Sequence, residues 1–175
     1  MPTEILVAYT TRSGSTGEVA EAIGARMREA CLQIEVAPMR DLKAIGERTA
    51  VVLGAPLYMG GLPGDMHRFL ERNRTALARP KTWFFVLGPI EGKPEEFEQA
   101  HGQAEKQLAK YPWFIPENLR IFAGRFDVNR MPFPFSLARH LPAFPAKDLP
   151  AMDHRDWEAI RAWASQIARQ LLSAE

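Results

Sequence analysis

Hydroxyl-bearing residues surround one glycine close to the amino terminus, directly after a short apolar run. They are Thr11, Ser13, Ser15 and Thr16, and the glycine between them is Gly14. The hydroxyl groups and backbone N–H groups of such a turn can donate hydrogen bonds to an anion. A helix predicted to begin here would aim the positive end of its dipole at the same point. The pattern predicts a phosphate-binding turn, in which Arg12 faces either the phosphate or the solvent.

The residues of this turn exclude three common kinds of site. The turn has no Gly-Lys-Ser/Thr ending, so it lacks the lysine and the magnesium-binding hydroxyl of a P-loop. It contains no G-x-G-x-x-G, which a dinucleotide pyrophosphate requires. A receiver domain needs carboxylates at positions that here hold Thr10, Thr11, Gly54 and Ala55. A monophosphate held by hydroxyls and amides remains, and a serine-threonine cap of an ordinary helix is the alternative.

The elements that must position this turn form an alternating pattern. Apolar runs typical of strands buried on both faces cover residues 4–9, 33–37, 50–54, 82–87 and 119–124. Helical patterns cover residues 16–30, 64–77, 94–110 and 156–172, and residues 41–48 are a weaker helix candidate. This alternation predicts an α/β fold with a parallel sheet and right-handed crossovers.

One irregular, proline- and phenylalanine-rich insert interrupts the alternation at about residues 126–152. It contains Pro132, Pro134, Pro142, Pro145 and Pro150, with Phe133, Phe135 and Phe144 between them. Only residues 134–141 favour a short helix there. So long a loop in a compact domain is either an ordered cover over one sheet edge or a surface for a substrate or partner. We predict that residues 1–175 form one domain that carries this insert.

Three loops give the chain a resemblance to a known family. The turn at residues 11–16 resembles the phosphate-binding loop of flavodoxins, which hold FMN. Residues 52–61 (VLGAPLYMGG) are similar to the flavin-contacting loop of that family, and residues 88–92 (GPIEG) stand where its third cofactor loop would lie. The resemblance implies a flavodoxin-like doubly wound sheet of five parallel strands, in the order 2-1-3-4-5, with helices on both faces. Such sheets bind ligands at the carboxyl ends of their strands.

Three longer stretches are similar to the flavodoxin-domain branch that includes the menaquinone-dependent protoporphyrinogen oxidases. They are AYTTRSGST at residues 8–16, LGAPLYMG at residues 53–60 and RDWEAIRAWA at residues 155–164. This resemblance implies an FMN-dependent dehydrogenase of heme biosynthesis that passes electrons from a flat apolar substrate to a quinone. In that branch the insert is basic and amphipathic and meets the porphyrin, quinone or membrane, whereas here it is broken by prolines and only modestly basic.

The resemblance also implies which residues hold the cofactor. The phosphate would be held by Thr11, Arg12, Ser13, Gly14, Ser15 and Thr16, and the flavin ring by Pro56, Leu57, Tyr58, Met59, Gly60, Gly61, Gly88, Pro89, Ile90 and Gly92. Tyr58 either stacks on the ring or caps the third strand as a rim residue. Glycine beside flavin N5 lets the peptide rotate when the cofactor is reduced. No side chain is assigned as a catalytic acid or base.

Basic residues near the insert are candidates for contact with a substrate or partner. Arg125, Arg130 and Arg139 can pair with substrate carboxylates, or they can form an ordinary solvated loop surface. Two other functions stay open: an electron-transfer protein that docks on a partner reductase, and an interaction module that keeps the fold without the cofactor. Such electron carriers are usually strongly acidic around the flavin, and the net charge of +1 argues against that class.

Composition narrows the functional class further. The 22 basic and 21 acidic residues among 175 create no field that favours nucleic acid. The single cysteine, Cys31, excludes an internal disulfide and is predicted to be a packing residue. The histidines share no spacing, which predicts that there is no metal site. Without a spanning apolar run or a signal-peptide pattern, the chain is predicted to be cytoplasmic, with at most a peripheral membrane contact.

Overall fold

A parallel β-sheet forms the centre of the structure, a computed structural model that describes residues 4–89, 91–131, 133, 135–138, 140–143 and 150–173. Its strands are β1 (Glu4–Tyr9), β2 (Gln33–Pro38), β3 (Ala50–Pro56), β4 (Lys81–Leu87) and β5 (Asn118–Phe122). They lie in the order β2-β1-β3-β4-β5, and every neighbouring pair is parallel. The predicted fold class and strand order are confirmed.

Helices pack on both faces of the sheet. The helices of the described chain are α1 (Ser15–Arg28), α2 (Gly64–Arg72), α3 (Arg74–Leu77), α4 (Pro94–Leu108), α5 (Phe135–Ala138) and α6 (Trp157–Leu172). Because successive side chains of a strand point to opposite faces, Ile5 and Val7 of β1 join one core with α1 and α6. Leu6 and Ala8 join a second core with α2 and α4. Burial on both faces explains the unbroken apolar run of β1.

Asn73 divides the helix that was predicted at residues 64–77. Its side-chain Nδ2 donates to the carbonyl oxygen of Phe69 at 2.9 Å, and its Oδ1 accepts from the backbone N–H of Ile45 at 3.3 Å. An asparagine that bonds to backbone groups competes with the helical pattern, so α2 ends and α3 begins here. The weak helix prediction for residues 41–48 is also wrong. That segment contains the end of the 3₁₀ turn Met39–Asp41, and the buried Ile45 is fixed by Asn73 instead.

The base of the insert is closed by two short strands that the sequence did not reveal. β6 (Arg125–Phe126) pairs antiparallel with β7 (Met152–Asp153). β5 ends at Phe122, earlier than the predicted residue 124, and the carbonyl oxygen of Gly124 accepts from the backbone N–H of His154 at 3.2 Å. Within the described part of the insert, the helix predicted at residues 134–141 is the single turn α5. Both ends of the insert therefore lie together beyond β5, at the carboxyl edge of the sheet.

Cys31 is not the packing residue that the sequence predicted. It follows α1 with a φ of 63°, and its thiol is exposed. This left-handed conformation turns the chain from α1 into β2. The next residue, Leu32, enters the core in its place.

Candidate functional site

The turn between β1 and α1 leaves the N-terminus of α1 without a side-chain cap among the described residues. Gly14 is the N-cap of α1 with a φ of 91°, and no described side chain caps the helix. The Gly14 N–H donates instead to Thr11 Oγ1 at 2.9 Å. The Oγ atoms of Ser13 and Ser15 lie 3.5 Å apart. The N–H groups of the first helical turn have no partner within the helix, so they face an incoming anion at the positive end of the dipole.

Thr16 provides the test of whether a phosphate fits this turn. Its side chain is fully buried, and its Oγ1 has no hydrogen-bond partner among the described residues. A buried hydroxyl left in this way costs about 1–3 kcal/mol of lost hydrogen bonding. An anion on the turn would accept this hydrogen bond and remove that cost. The hydroxyl and amide donors therefore fit a monophosphate, whose charge strengthens each bond.

The loop after β3 makes a tight turn at the same edge of the sheet. Tyr58 and Gly61 exchange two backbone hydrogen bonds of 2.9 and 2.8 Å. Between them, Met59 and Gly60 have φ values of 47° and 78°, the positive φ that a type I′ hairpin turn requires at both positions. A methionine in this conformation is strained by about 1–2 kcal/mol, and its side chain is 94% exposed. Strain of this kind concentrates in functional loops.

A cavity of about 240 Å³ lies where β3, β4 and β5 end. It brings together part of the predicted cofactor site: Ser13, Ser15, Pro56, Leu57, Tyr58, Met59 and Gly88. The remaining walls are Leu87, Gly124, Arg125, Phe126, Asp127 and Met131. The hydroxyl turn thus opens into a mainly apolar slot. Such a slot suits a ligand with an anionic tail and an apolar body.

The other predicted cofactor residues do not line this cavity. They are Thr11, Arg12, Gly14, Thr16, Gly60, Gly61, Pro89 and Gly92, while Ile90 and the candidate substrate residue Arg139 fall outside the described residues. Thr11 borders a separate hollow of about 60 Å³. Gly60 and Pro89 border a cleft of about 200 Å³ that shares Leu57, Met59 and Gly88 with the cavity. Arg12 is exposed to solvent.

Four charged side chains form a network beside the hydroxyl turn: Arg125, Arg155, Glu18 and Asp153. Arg125 Nη1 donates to the two carboxylate oxygens of Glu18 at 3.0 and 3.1 Å. Arg155 donates to Glu18 Oε2 at 2.6 Å and to Asp153 Oδ1 at 2.8 Å. Arg130 lies more loosely, with its Nη1 3.8 Å from Glu18 Oε1. Two of the three arginines predicted to contact a substrate therefore pair with carboxylates of the protein itself.

The network lowers the pKa of both carboxylic acids. Burial on its own would raise the pKa of Glu18, but hydrogen bonds from Arg155 and Arg125 bring it below the ordinary value of 4.5. The hydrogen bond from Arg155 holds the pKa of Asp153 below 3.8. Both groups are therefore more acidic in the folded chain than in the unfolded chain. Their charged forms stabilise the fold above the unfolded pKa values, and this stabilisation is lost as the pH falls through the folded values.

We expect the free energy of unfolding to decrease as the pH is lowered from about 5 toward 3, with part of that decrease due to Asp153. Urea unfolding of the wild type and of Asp153→Asn across this pH range measures how much Asp153 contributes to the decrease. The variant should be less stable at pH 6 and lose less stability on acidification. Glu21→Gln, on the exposed face of α1, serves as the control. Equal pH dependence in wild type and Asp153→Asn would contradict this role of Asp153.

Histidines and carboxylates elsewhere are engaged in local contacts. His67 Nδ1 lies 2.6 Å from Tyr111 Oη, and His101 pairs with Glu105 at 3.5 Å. Among the residues that the structure describes, no group of three or more His, Cys, Asp or Glu side chains is placed to hold a metal ion. No helix in the described ranges has the length and apolar character needed to cross a membrane.

The geometry of the turn, the slot and the five-stranded sheet agrees with a comparison against protein families. A family model described as "Flavodoxin domain" matches residues 6–134. This chain belongs to the flavodoxin-domain family. The matched span runs from β1, through the hydroxyl turn and the Tyr58–Gly61 turn, into the insert. The family resemblance predicted from the sequence is confirmed.

Individual relatives and solved structures extend the comparison along the chain. A curated relative, protoporphyrinogen IX dehydrogenase (quinone) of Escherichia coli K12, is 24% identical over 170 residues, covering 93% of each protein. The NAD(P)H:quinone oxidoreductase of Methanothermobacter marburgensis has a TM-score of 0.56 at 14% identity, covering 98% of this chain and 100% of that one. A flavodoxin from the domain Archaea has a TM-score of 0.55 at 16% identity, covering 95% and 97%. These structural likenesses show the shared fold.

Proposed function

We propose that this flavodoxin-domain chain binds FMN noncovalently and acts as an FMN-dependent oxidoreductase. The observation that carries the proposal is the buried Thr16 hydroxyl without a described partner, at a glycine-capped helix beside an apolar slot. A phosphate ester with a flat apolar body fits this site, because its phosphate can bind to the hydroxyl turn and its body can lie in the apolar slot. When bound, FMN would supply the redox chemistry, accepting two electrons from a reduced substrate and delivering them to an acceptor.

The residues of this chain have distinct roles in the proposal. Ser13, Ser15, Thr16 and the N–H groups of the first turn of α1 hold the phosphate. Leu57, Tyr58, Leu87, Phe126 and Met131 form apolar walls that orient a flat ring and exclude water. These sets are adjacent because Ser13 and Ser15 line the same cavity as the apolar walls. Asp127 also lines the cavity, but its carboxylate accepts from the Asn129 N–H at 2.9 Å and so caps a local turn.

For the substrate we propose a protoporphyrinogen-type tetrapyrrole, with a quinone as the electron acceptor, which places the chain in heme biosynthesis. The support is the curated relative, whose alignment covers almost all of both proteins. The described part of the insert exposes Phe133, Leu137 and Leu141, an apolar surface suited to a peripheral contact with a quinone-containing membrane. We place this activity in the cytoplasm, where an exposed thiol such as that of Cys31 stays reduced.

An anaerobic turnover assay tests the proposal. FMN-loaded protein mixed with protoporphyrinogen IX and menaquinone should produce protoporphyrin fluorescence together with loss of the quinone absorbance. Thr16→Val, assayed at the same FMN concentration below saturation, should show reduced turnover because less cofactor is bound, and Thr16→Ser, which keeps the hydroxyl, is the matched control.

Other outcomes identify the competing functions. An FMN-loaded protein that turns over neither compound, but exchanges electrons rapidly with a flavodoxin reductase, is an electron carrier and overturns the proposed substrate. A chain that binds no flavin at all is an interaction module, and the oxidoreductase proposal then fails entirely.

A further inference from the structure

Two guanidinium groups contact backbone carbonyl oxygens of the hydroxyl turn. Arg125 Nη2 donates to the carbonyl oxygen of Ser13 at 3.4 Å. Arg155 Nη1 donates to the carbonyl oxygen of Ser15, also at 3.4 Å. Both arginines come from the two ends of the insert, far from the turn in sequence. The base of the insert is therefore bonded to the backbone of the candidate phosphate site.

These contacts hold the orientation of the peptide groups that carry the N–H donors of the turn. In a planar trans peptide, the carbonyl and the N–H of the next residue point in opposite directions. Ser15 is the first residue of α1, so its carbonyl points along the helix and the N–H of Thr16 points back toward the N-terminal, ligand side. The hydrogen bond from Arg155 holds the Ser15 carbonyl, and with it this peptide, in that orientation. Likewise, a Ser13 carbonyl held toward Arg125 points the N–H of Gly14 away from Arg125, and this N–H donates to Thr11 Oγ1 at 2.9 Å.

Arg155 is itself held rigidly enough to act as an anchor. Only 3% of its side chain is exposed. It bonds to Asp153 through Nε at 2.8 Å and to Glu18 through Nη1 at 2.6 Å, and its guanidinium lies 4.6 Å from the ring centre of Trp157. The network has two arginines, Arg125 and Arg155, and two carboxylates, those of Glu18 and Asp153, so its net charge is zero. The network therefore acts on the turn through geometry and adds no net positive charge beside it.

We propose that Arg155 is a positioning residue for the phosphate turn, orienting the Thr16 N–H and hydroxyl through the Ser15 carbonyl. This inference rests on the proposed binding of FMN. It assigns a role to the arginine that opens the stretch RDWEAIRAWA. The guanidinium fork is essential to this role because it must reach Asp153, Glu18 and the Ser15 carbonyl together, and a lysine ammonium cannot do so.

The test compares the variants Arg155→Met and Arg155→Lys with the matched control Arg161→Met. Arg161 is an exposed residue of α6. Folded protein is titrated with FMN and with riboflavin, and the ³¹P resonance of the bound phosphate is recorded at saturating FMN. Both Arg155 variants should raise the Kd for FMN about tenfold, change the Kd for riboflavin less than about twofold, and shift the ³¹P resonance. Arg161→Met should match the wild type in all three measurements.

The other possible results either overturn the positioning role of Arg155 or overturn the proposed binding of FMN. If the Arg155 variants lose thermal stability but keep the wild-type Kd ratio and ³¹P shift, Arg155 has only a structural role and the inference is overturned. If Arg155→Met does not fold, Asp153→Asn, whose altered side chain is 41% exposed, replaces it and should lower the FMN preference by about threefold. Wild-type protein that binds neither FMN nor riboflavin removes the proposed function, a result distinct from failure of the Arg155 role.

Discussion

Replacing Thr16 by valine is expected to weaken FMN binding by about 1.5–3 kcal/mol, roughly tenfold to a hundredfold in Kd. Valine has the shape of threonine but lacks the hydroxyl, so the phosphate loses one charge-assisted hydrogen bond at a fully buried position. The apoprotein should respond in the opposite direction. Its Thr16 hydroxyl has no described partner, so a methyl group there leaves the apoprotein as stable as before or more stable.

The prediction is specific because Thr16→Val should weaken FMN binding without lowering the stability of the apoprotein. Fluorescence titration with FMN gives the Kd, and urea unfolding of the apoprotein gives the free energy of unfolding. Thr16→Ser keeps the hydroxyl and should stay much closer to the wild-type Kd. A valine variant that destabilises the apoprotein but keeps its FMN affinity would mean that the hydroxyl serves the fold and not a ligand.

Gly54→Ala is expected to destabilise the fold by about 3 kcal/mol, lowering the Tm by roughly 6–12 °C. Gly54 in β3 is the register partner of Phe85 in β4, whose ring lies over it. A Cβ at Gly54 would come under 3.0 Å from three atoms of that ring. The fully buried Phe85 ring is held from behind by Trp163, with ring centres 6.1 Å apart, so it cannot move aside cheaply.

Gly102→Ala is the matched control for this substitution. Gly102 lies inside α4, and apart from its chain neighbours and the backbone of its own helix no described atom would lie within 4 Å of an added Cβ. The better helix propensity of alanine should raise stability by about 0.5–1 kcal/mol. Thermal unfolding of the two variants should therefore shift the Tm in opposite directions. A Gly54→Ala protein with the wild-type Tm would contradict the close packing of β3 against Phe85.

The central sheet was predictable because its signal is local. The three inner strands, β1, β3 and β4, are mainly apolar runs, and the order of the strands followed from the family resemblance of the loops. Elements that depend on distant partners were not predictable. Asn73 breaks a well-patterned helix because its side chain bonds to Ile45, and no local pattern reports that contact. β6 and β7 are two residues each and form only because the ends of the insert meet.

The candidate site divides in the same way. The hydroxyl turn is a single continuous stretch whose residue types indicated an anion-binding turn, and the loop containing Tyr58–Gly61 was assigned from its resemblance to the flavin-contacting loop of the family. The network behind the turn joins Glu18 to Arg155, residues 137 positions apart. Phe126 and Met131 were missed as cavity walls because the insert has no periodic pattern that indicates which residues point inward. The sequence pointed to this network only through the resemblance of the stretch that begins at Arg155. The contact between Arg155 and the hydroxyl turn is visible only in the structure.

Titration of the purified chain with FMN and, in parallel, with riboflavin tests the central claim most directly. If the hydroxyl turn holds the phosphate, flavin fluorescence should be quenched at one FMN per chain, with a Kd at least about tenfold lower than that for riboflavin. Equal affinity for the two flavins, or no saturable binding of either, would contradict the phosphate site from which the proposed oxidoreductase function follows.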